Sequence, residues 1–514
     1  MAINLLDRVG DWNPQLFREL KGRFNSWKAR AAIVASLLGQ FILFISLTQN
    51  RCLNYTDGIC TQSEWHIYWQ IMFRSLDWIL PIILLLAGVY GLVSDFATEE
   101  RKGTLNFIRL APQTSQSILI GKILGVPALF YLIIALAIPL HFISGLIAGV
   151  PAIWLLGIYG LWIAGASIFY TFFLFYTLQH SLKVEAKAIA GGASFIAFWF
   201  AFFYIGAVDF TLDWYRETDF IQTWQWFLLP VGKYPILLYG LVLVGIGIGN
   251  YFFWQAINRR FNNPKSTLLS KEQSYYWFAI LQIWMLGFAF SQSRTEAQHV
   301  LGFGVLFFIN PILFLILNIA LLPNRQSLID WTRYRRTSKL ALRRFWKSYL
   351  VKDLIWDDRS PAVIAIAMNY LMMSIIWLPW ILLWLRKSWV EGMQIVLVLV
   401  GGLVLTFNVI LIYALLIEVL RLLKVEQRIL IGLAMLGLVL FPIFSREIFG
   451  SGLLMLKLLL VITPFPVGIL TFQSIFIIGF GFLTQVVILG ALTQQLTQKL
   501  QTLGESTSKH IVAG

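Results

Sequence analysis

Long apolar runs, cut by short polar and charged stretches, dominate the pattern along the chain. In the first half, runs near the length that crosses a hydrocarbon core of about 30 Å fall at 31–48, 69–93, 123–147, 152–178, 188–208 and 234–256. In the second half they fall at 275–292, 300–322, 361–385, 393–417, 429–444 and 471–494. The pattern predicts an all-α polytopic membrane protein of about 12 transmembrane helices. Shorter punctuated stretches lie between the runs. Asn13-Pro14 opens an amphipathic helix over 13–28, with Leu16, Phe17, Leu20, Phe24 and Trp27 on one face, suited to the membrane interface. Asp209 to Lys233 is too polar to cross and rich in Trp and Phe, which predicts a re-entrant or interfacial helix ending near Pro230.

The halves echo each other. LKVEAKAIAG from Leu182 parallels LKVEQRILIG from Leu423, and Pro-Val-Gly occurs at Pro230 and again at Pro466. Pro139 and Pro379 occupy comparable places in the third run of each half, and Asn13-Pro14 and Asn263-Pro264 open the two halves. The expectation is two six-span units in tandem, 1–260 and 261–514, in the same orientation.

Composition agrees with the pattern. Apolar residues make up 58% of 514 and charged residues 13%, with a mean hydropathy of +0.74, where soluble domains carry about 25% charged residues. The net charge of +15 would suggest nucleic acid in a soluble chain. Here it reads as the bias of Lys and Arg toward the cytoplasmic side, since about three quarters of them fall in segments on one side of the assigned spans. That bias places both termini in the cytoplasm; the localisation expected is a bacterial inner membrane. The basic segment 323–360, with Arg333, Arg335, Arg336, Arg343, Arg344 and Lys347, suits anionic lipid heads. Met1 to Arg30 has no early apolar core of the kind a cleavable signal needs.

Little in the chain points to catalysis or metal chemistry. There is no G-x-x-x-x-G-K-[ST] phosphate loop and no G-x-S-x-G elbow. His66, His141, His180, His299 and His510 are scattered without metal-ligand spacing. His141 reads either as a pathway residue or as a packed one, and Arg74 and Asp77, three apart, as a pair along one helix. Cys52 and Cys60, the only cysteines, sit in the loop after the first span, where a disulfide would close a small loop; the sequence leaves their state open. Asp357 and Asp358 before the clean helix start Ser360-Pro361 are a weak metal–pyrophosphate signal and a better docking or interfacial one.

The most informative stretch is SDFATEERKGTLNFIRLAPQTSQSILIGKIL, 94–124. It joins an acidic–basic cluster, a Gly-Thr break, a short apolar helix expected to be capped by Thr104, and a restart after Pro112 at Thr114 or Ser115. The order NPQLFREL, two spans, EERKGTLNFIRLAPQTSQSILIGKILG, then four spans resembles the type-2 ATP-binding-cassette permeases, the membrane subunits of exporters. The resemblance implies that Glu99, Glu100, Arg101, Gly103, Thr104 and Leu105 belong to the coupling segment 94–122, which meets a separate ATPase subunit carrying the ATP and Mg. The second half lacks this signature; Asp357 and Asp358 stand in the corresponding place. Two other classes remain open on the sequence: a secondary transporter, which normally needs ionisable groups buried in the spans, and a membrane-embedded transferase acting on a lipid phosphate through clustered carboxylates. The substrate is not legible, and one chain or a homodimer could complete the membrane portion.

Overall fold

The computed structural model describes residues 8–24, 26–56, 59–179, 185–217, 222, 224–264, 266–289, 296–337, 349–382, 389–423 and 475–504. The protein is predominantly helical and membrane-spanning. It divides into two compact units, Met1–Thr223 with Val231–Pro264, and Trp224–Pro230 with Lys265–Gly514.

In the first unit, α1 (Pro14–Arg23) is capped as its sequence predicts: the Asn13 side chain accepts from the Leu16 N–H and Pro14 takes the first helical position. Its buried face is Gln15, Leu16 and Glu19. The amphipathic pattern points an apolar face at lipid; instead α1 lays a mixed face on a protein neighbour, while Phe24 and Trp27 stay exposed. The helix α2 (Ser26–Ser46) leads to a hairpin, β1 (Thr48–Thr56) and β2 (Ile59–Ile67), paired antiparallel. This hairpin departs from the all-α expectation. Its register sets Cys52 opposite Ser63 and Cys60 opposite Tyr55, so the cysteines are not direct cross-strand partners; their side chains lie outside the described residues.

The second span is one apolar rod with an inserted turn. α3 (Trp69–Ile82) runs through a π-helical turn, Ile83–Ala87, into α4 (Gly88–Arg101). A π turn leaves backbone carbonyls short of their usual partners. The Tyr170 hydroxyl donates to the Leu84 carbonyl at 2.6 Å, and Gly88 lets that hydroxyl come close, because a Cβ there would overlap it.

A short helix, α5 (Thr104–Arg109), and α6 (Ser115–Gly125) follow, and then α7 (Ala128–Ile147), α8 (Ala152–Gln179), α9 (Ala186–Glu217) and α10 (Pro235–Asn262). A continuous apolar core runs through α3, α4, α8 and α9. The helix α9 absorbs residues 209–217 of the stretch read as re-entrant.

In the second unit, Trp226 and Leu229 pair as an isolated bridge. Trp226 Nε1 donates to the Trp284 carbonyl at 3.1 Å and the Phe227 N–H to the Gly287 carbonyl at 2.9 Å. Trp224–Pro230 is therefore a tight aromatic turn rather than the end of a helix. Asn263 terminates α10. The chain then stays irregular to Ser270 because the Leu268 and Leu269 N–H groups are taken by the Ala320 carbonyl. The remaining helices are α11 (Lys271–Ala289), α12 (Glu296–Leu321), α13 (Arg325–Thr337), α14 (Tyr349–Trp356), α15 (Val363–Leu382), α16 (Trp389–Leu422) and α17 (Ile475–Gly504). Pro139 lies inside α7 and Pro379 inside α15.

Among the described residues, eight helices are long and apolar enough to cross a membrane, or nine with the bent pair Val305–Leu321 and Arg325–Tyr334. The other expected spans are not among these. The helix α11 opens on Lys271, Glu272 and Gln273 and carries Gln282, and the expected span 471–494 begins outside the described residues. The expected span 429–444 and the Pro464–Pro466 segment lie outside the described residues, as do most of both LKVE motifs, Arg343, Arg344 and Lys347.

Candidate functional site: a charged bracket carrying a short helix

The segment 94–122 folds as an extension of the second span, a sharp turn, a short helix and a restart. Lys102 closes α4, and Gly103 adopts φ +73, the left-handed conformation that glycine tolerates. Gly103, rather than Thr104, occupies the cap position of α5; Thr104 is its first helical residue, and its hydroxyl donates to the Glu99 carbonyl at 3.1 Å. Pro112 follows the end of α5, and the Thr114 side chain caps α6 by accepting from the Ser117 N–H at 3.2 Å.

Behind this bracket lies a network that no sequence motif marks. Lys122 is fully buried on α6. Its ammonium lies 2.7 Å from Asp95 Oδ2, 2.7 Å from Glu99 Oε2 and 3.5 Å from Glu19 Oε1. Arg18 reaches Glu99 at 2.9 Å and Arg23 reaches Asp95 at 2.9 Å. The three carboxylates come from α1 and α4, so one lysine on α6 ties three helices together. Burial works against the Lys122 charge, but Asp95, Glu19 and Glu99 more than offset it and hold the amine above its ordinary value. Glu19, Asp95 and Glu99 place ligand oxygens within 4.8 Å of one another, a spacing able to hold a metal ion. The Lys122 ammonium already takes the place of that cation. Small residues make the approach possible: a Cβ at Gly121 or Gly125 would overlap α1 at Gln15 or Glu19.

The predicted residues therefore separate into two sets. Glu99 faces inward and holds the bracket. Leu105 is buried beneath α5. Glu100 lies in the field of Arg109 and Arg260, and the Arg109 guanidinium sits over the Phe261 ring at 5.2 Å. Partial burial lowers the Arg109 pKa, with Glu100 opposing. Arg101 and Thr104 are exposed on the turn. What α5 presents outward is apolar: Phe107 is 76% exposed and Leu110, at its end, 82%.

The second unit has its own buried lysine. Lys271, at the start of α11, donates from Nζ to the Leu354 carbonyl at 2.7 Å, the Ser360 hydroxyl and the Pro361 carbonyl at 3.0 Å. Asp358 accepts from the Lys271 backbone N–H at 2.9 Å, capping α11 from a distant part of the chain. Asp357 accepts from the Arg359 N–H at 3.0 Å and shapes its own turn. Among the described residues, neither aspartate is brought to a second acidic cluster of the kind a metal–pyrophosphate site requires. Glu418 on α16 is buried and accepts from the Ala362 N–H.

Comparison with protein-family models, curated proteins and solved structures finds no match to this chain.

Proposed function

We propose that the chain is the membrane-spanning permease of an ATP-driven exporter in a bacterial inner membrane, with α5 as the ledge on which a separate ATPase subunit rests. On this reading both termini face the cytoplasm, ATP and Mg belong to the partner, and membrane lipids surround the spans. The observation that carries it is the exposure of Phe107 and Leu110 on a six-residue helix whose stem is held by the Lys122 network. Two large apolar side chains on a polar turn mark an interaction surface. A braced stem suits force transmission, because a push on α5 passes to α4 and α6 and so to two long helices.

The test is co-purification of the chain with ATP-hydrolysing activity. F107A and L110A together should reduce that associated activity more than tenfold while stability changes by no more than about 0.5 kcal/mol, as expected of surface positions. Undiminished association would refute the docking assignment. A secondary transporter is the second reading. The apolar spans argue against it on the sequence, but the structure buries Asp77, His141 and Glu418 within span helices, and such groups are what ion coupling needs.

A further inference from the structure

The first unit encloses a set of polar atoms that the docking ledge does not use. Asp77 on α3 is 2% exposed and His141 on α7 is fully buried. Asp77 Oδ1 and His141 Nε2 face each other at 3.7 Å, too far for a hydrogen bond, and among the described residues neither atom has another partner. The opposite side of the imidazole is engaged, with Nδ1 2.9 Å from the Tyr159 hydroxyl on α8. Phe73 stacks on the ring at a centroid distance of 4.8 Å and Trp162 flanks it at 5.1 Å. These contacts keep the Nε2 edge turned toward Asp77.

The surroundings offer the carboxylate few other partners. Tyr159 and, from α10, Tyr239 lie within the field of Asp77, and the Tyr239 hydroxyl is itself buried without a hydrogen bond among the described residues. On α9, Asp209 accepts from Trp78 Nε1 at 3.1 Å. Arg74, one turn before Asp77 on α3, is exposed.

In an apolar bundle, a carboxylate beside a neutral imidazole leaves one uncompensated negative charge, a costly arrangement. One added proton removes it. The imidazolium donates from Nε2 to Asp77 and from Nδ1 to the Tyr159 oxygen, so both orphaned atoms gain a partner. Closing the gap takes a movement of about 1 Å. We propose that Asp77 and His141, with Tyr159 as a positioning residue, form a proton-binding site inside the membrane-spanning part of the first unit. Loading takes one proton from water and converts the pair from a net negative charge to neutrality; release returns that proton. The site needs no ATPase, so it stands or falls separately from the docking reading.

Infrared difference spectroscopy of the full chain in lipid vesicles, recorded across a pH step, tests this. The wild type should show carboxyl and imidazole bands changing together. D77N should lose the carboxyl change and shift the imidazole band, H141Q should lose both, and Y159F should shift the imidazole band alone. Difference spectra of D77N and H141Q that superimpose on the wild type would overturn the proposal. If either variant fails to fold, solid-state NMR decides between the same outcomes on a chain in which His66, His180, His299 and His510 are replaced by glutamine and His141 is ring-labelled with nitrogen-15. A ring that gains a second protonated nitrogen across the step supports the site, and a ring that stays singly protonated throughout refutes it.

Discussion

Replacing Lys122 by methionine keeps the length of the side chain and removes its charge. The wild-type ammonium makes two contacts of 2.7 Å, to Asp95 and Glu99, and a weaker one of 3.5 Å to Glu19. Two of these are hydrogen bonds, to Asp95 and Glu19, and the Glu99 contact is an ion pair. Hydrogen bonds to charged groups contribute about 1.5–3 kcal/mol each, which puts the gross loss at about 3–6 kcal/mol. Two features reduce it. The Glu19, Asp95 and Glu99 side chains retain 10–25% exposure, and Arg18 and Arg23 still neutralise part of the cluster. A net loss of about 3 kcal/mol follows, which is about 100-fold in an opening equilibrium. The opening to measure is the separation of α1 from α6. Leu16 is 7% exposed in that contact, so L16C, in a background with Cys52 and Cys60 replaced by serine, reports it through its rate of maleimide labelling. K122M should label about 100-fold faster. The difference should narrow as the pH falls, because protonated carboxylates no longer repel one another. A rate within about threefold of the parent would show that Lys122 does not hold the bracket closed.

Three further outcomes are expected. Y170F removes the donor to the Leu84 carbonyl and should cost about 1–3 kcal/mol in thermal unfolding; G88A acts on the same close approach, so the double variant should cost less than the sum of the two. G103A should cost about 1 kcal/mol through backbone strain alone, since among the described residues nothing lies within 4 Å of the added Cβ, and a clearly larger loss would mean that the turn is braced in another way. Burial lowers the Lys271 amine to about 8, with Glu418, Asp358, Asp357 and Asp353 opposing. The unfolded chain then holds its proton up to about pH 10.4 while the folded chain has lost it, so stability of the second unit should rise by about 3 kcal/mol between about pH 8 and 10.4. K271M should flatten that rise, and a wild-type stability that is flat or falling over this window would contradict it.

The six runs of the first half are legible because each is a near-continuous apolar stretch, and the Asn13-Pro14 start and the Pro112–Thr114 restart because cap chemistry is local. The Lys122 network is not legible. Glu19, Asp95, Glu99 and Lys122 are spread over 104 positions, and each by itself reads as an ordinary charge at a membrane surface. Asp77 and His141 are visible as residues, but nothing in a linear pattern says that two helices turn them toward each other. Asn263-Pro264 shows the converse. Its local signal equals that of Asn13-Pro14, yet backbone bonds to Ala320 hold the following residues out of a helix. The hairpin escapes the pattern because β1 and β2 are polar strands without apolar alternation.

The π turn at Ile83–Ala87 sets the phase of the long second span. Asp77 and Asp95 are 18 positions apart, which in an uninterrupted α-helix amounts to about five full turns. Both carboxylates would then point the same way. The extra residue of the π turn rotates one end against the other by about 100°, so Asp77 can look toward His141 while Asp95 looks toward Lys122. Deleting a single residue there would leave an unbroken α-helix with the two acids 17 positions apart, still about 100° out of phase. Straightening the turn with no deletion would instead bring them into line and aim one at the wrong neighbours.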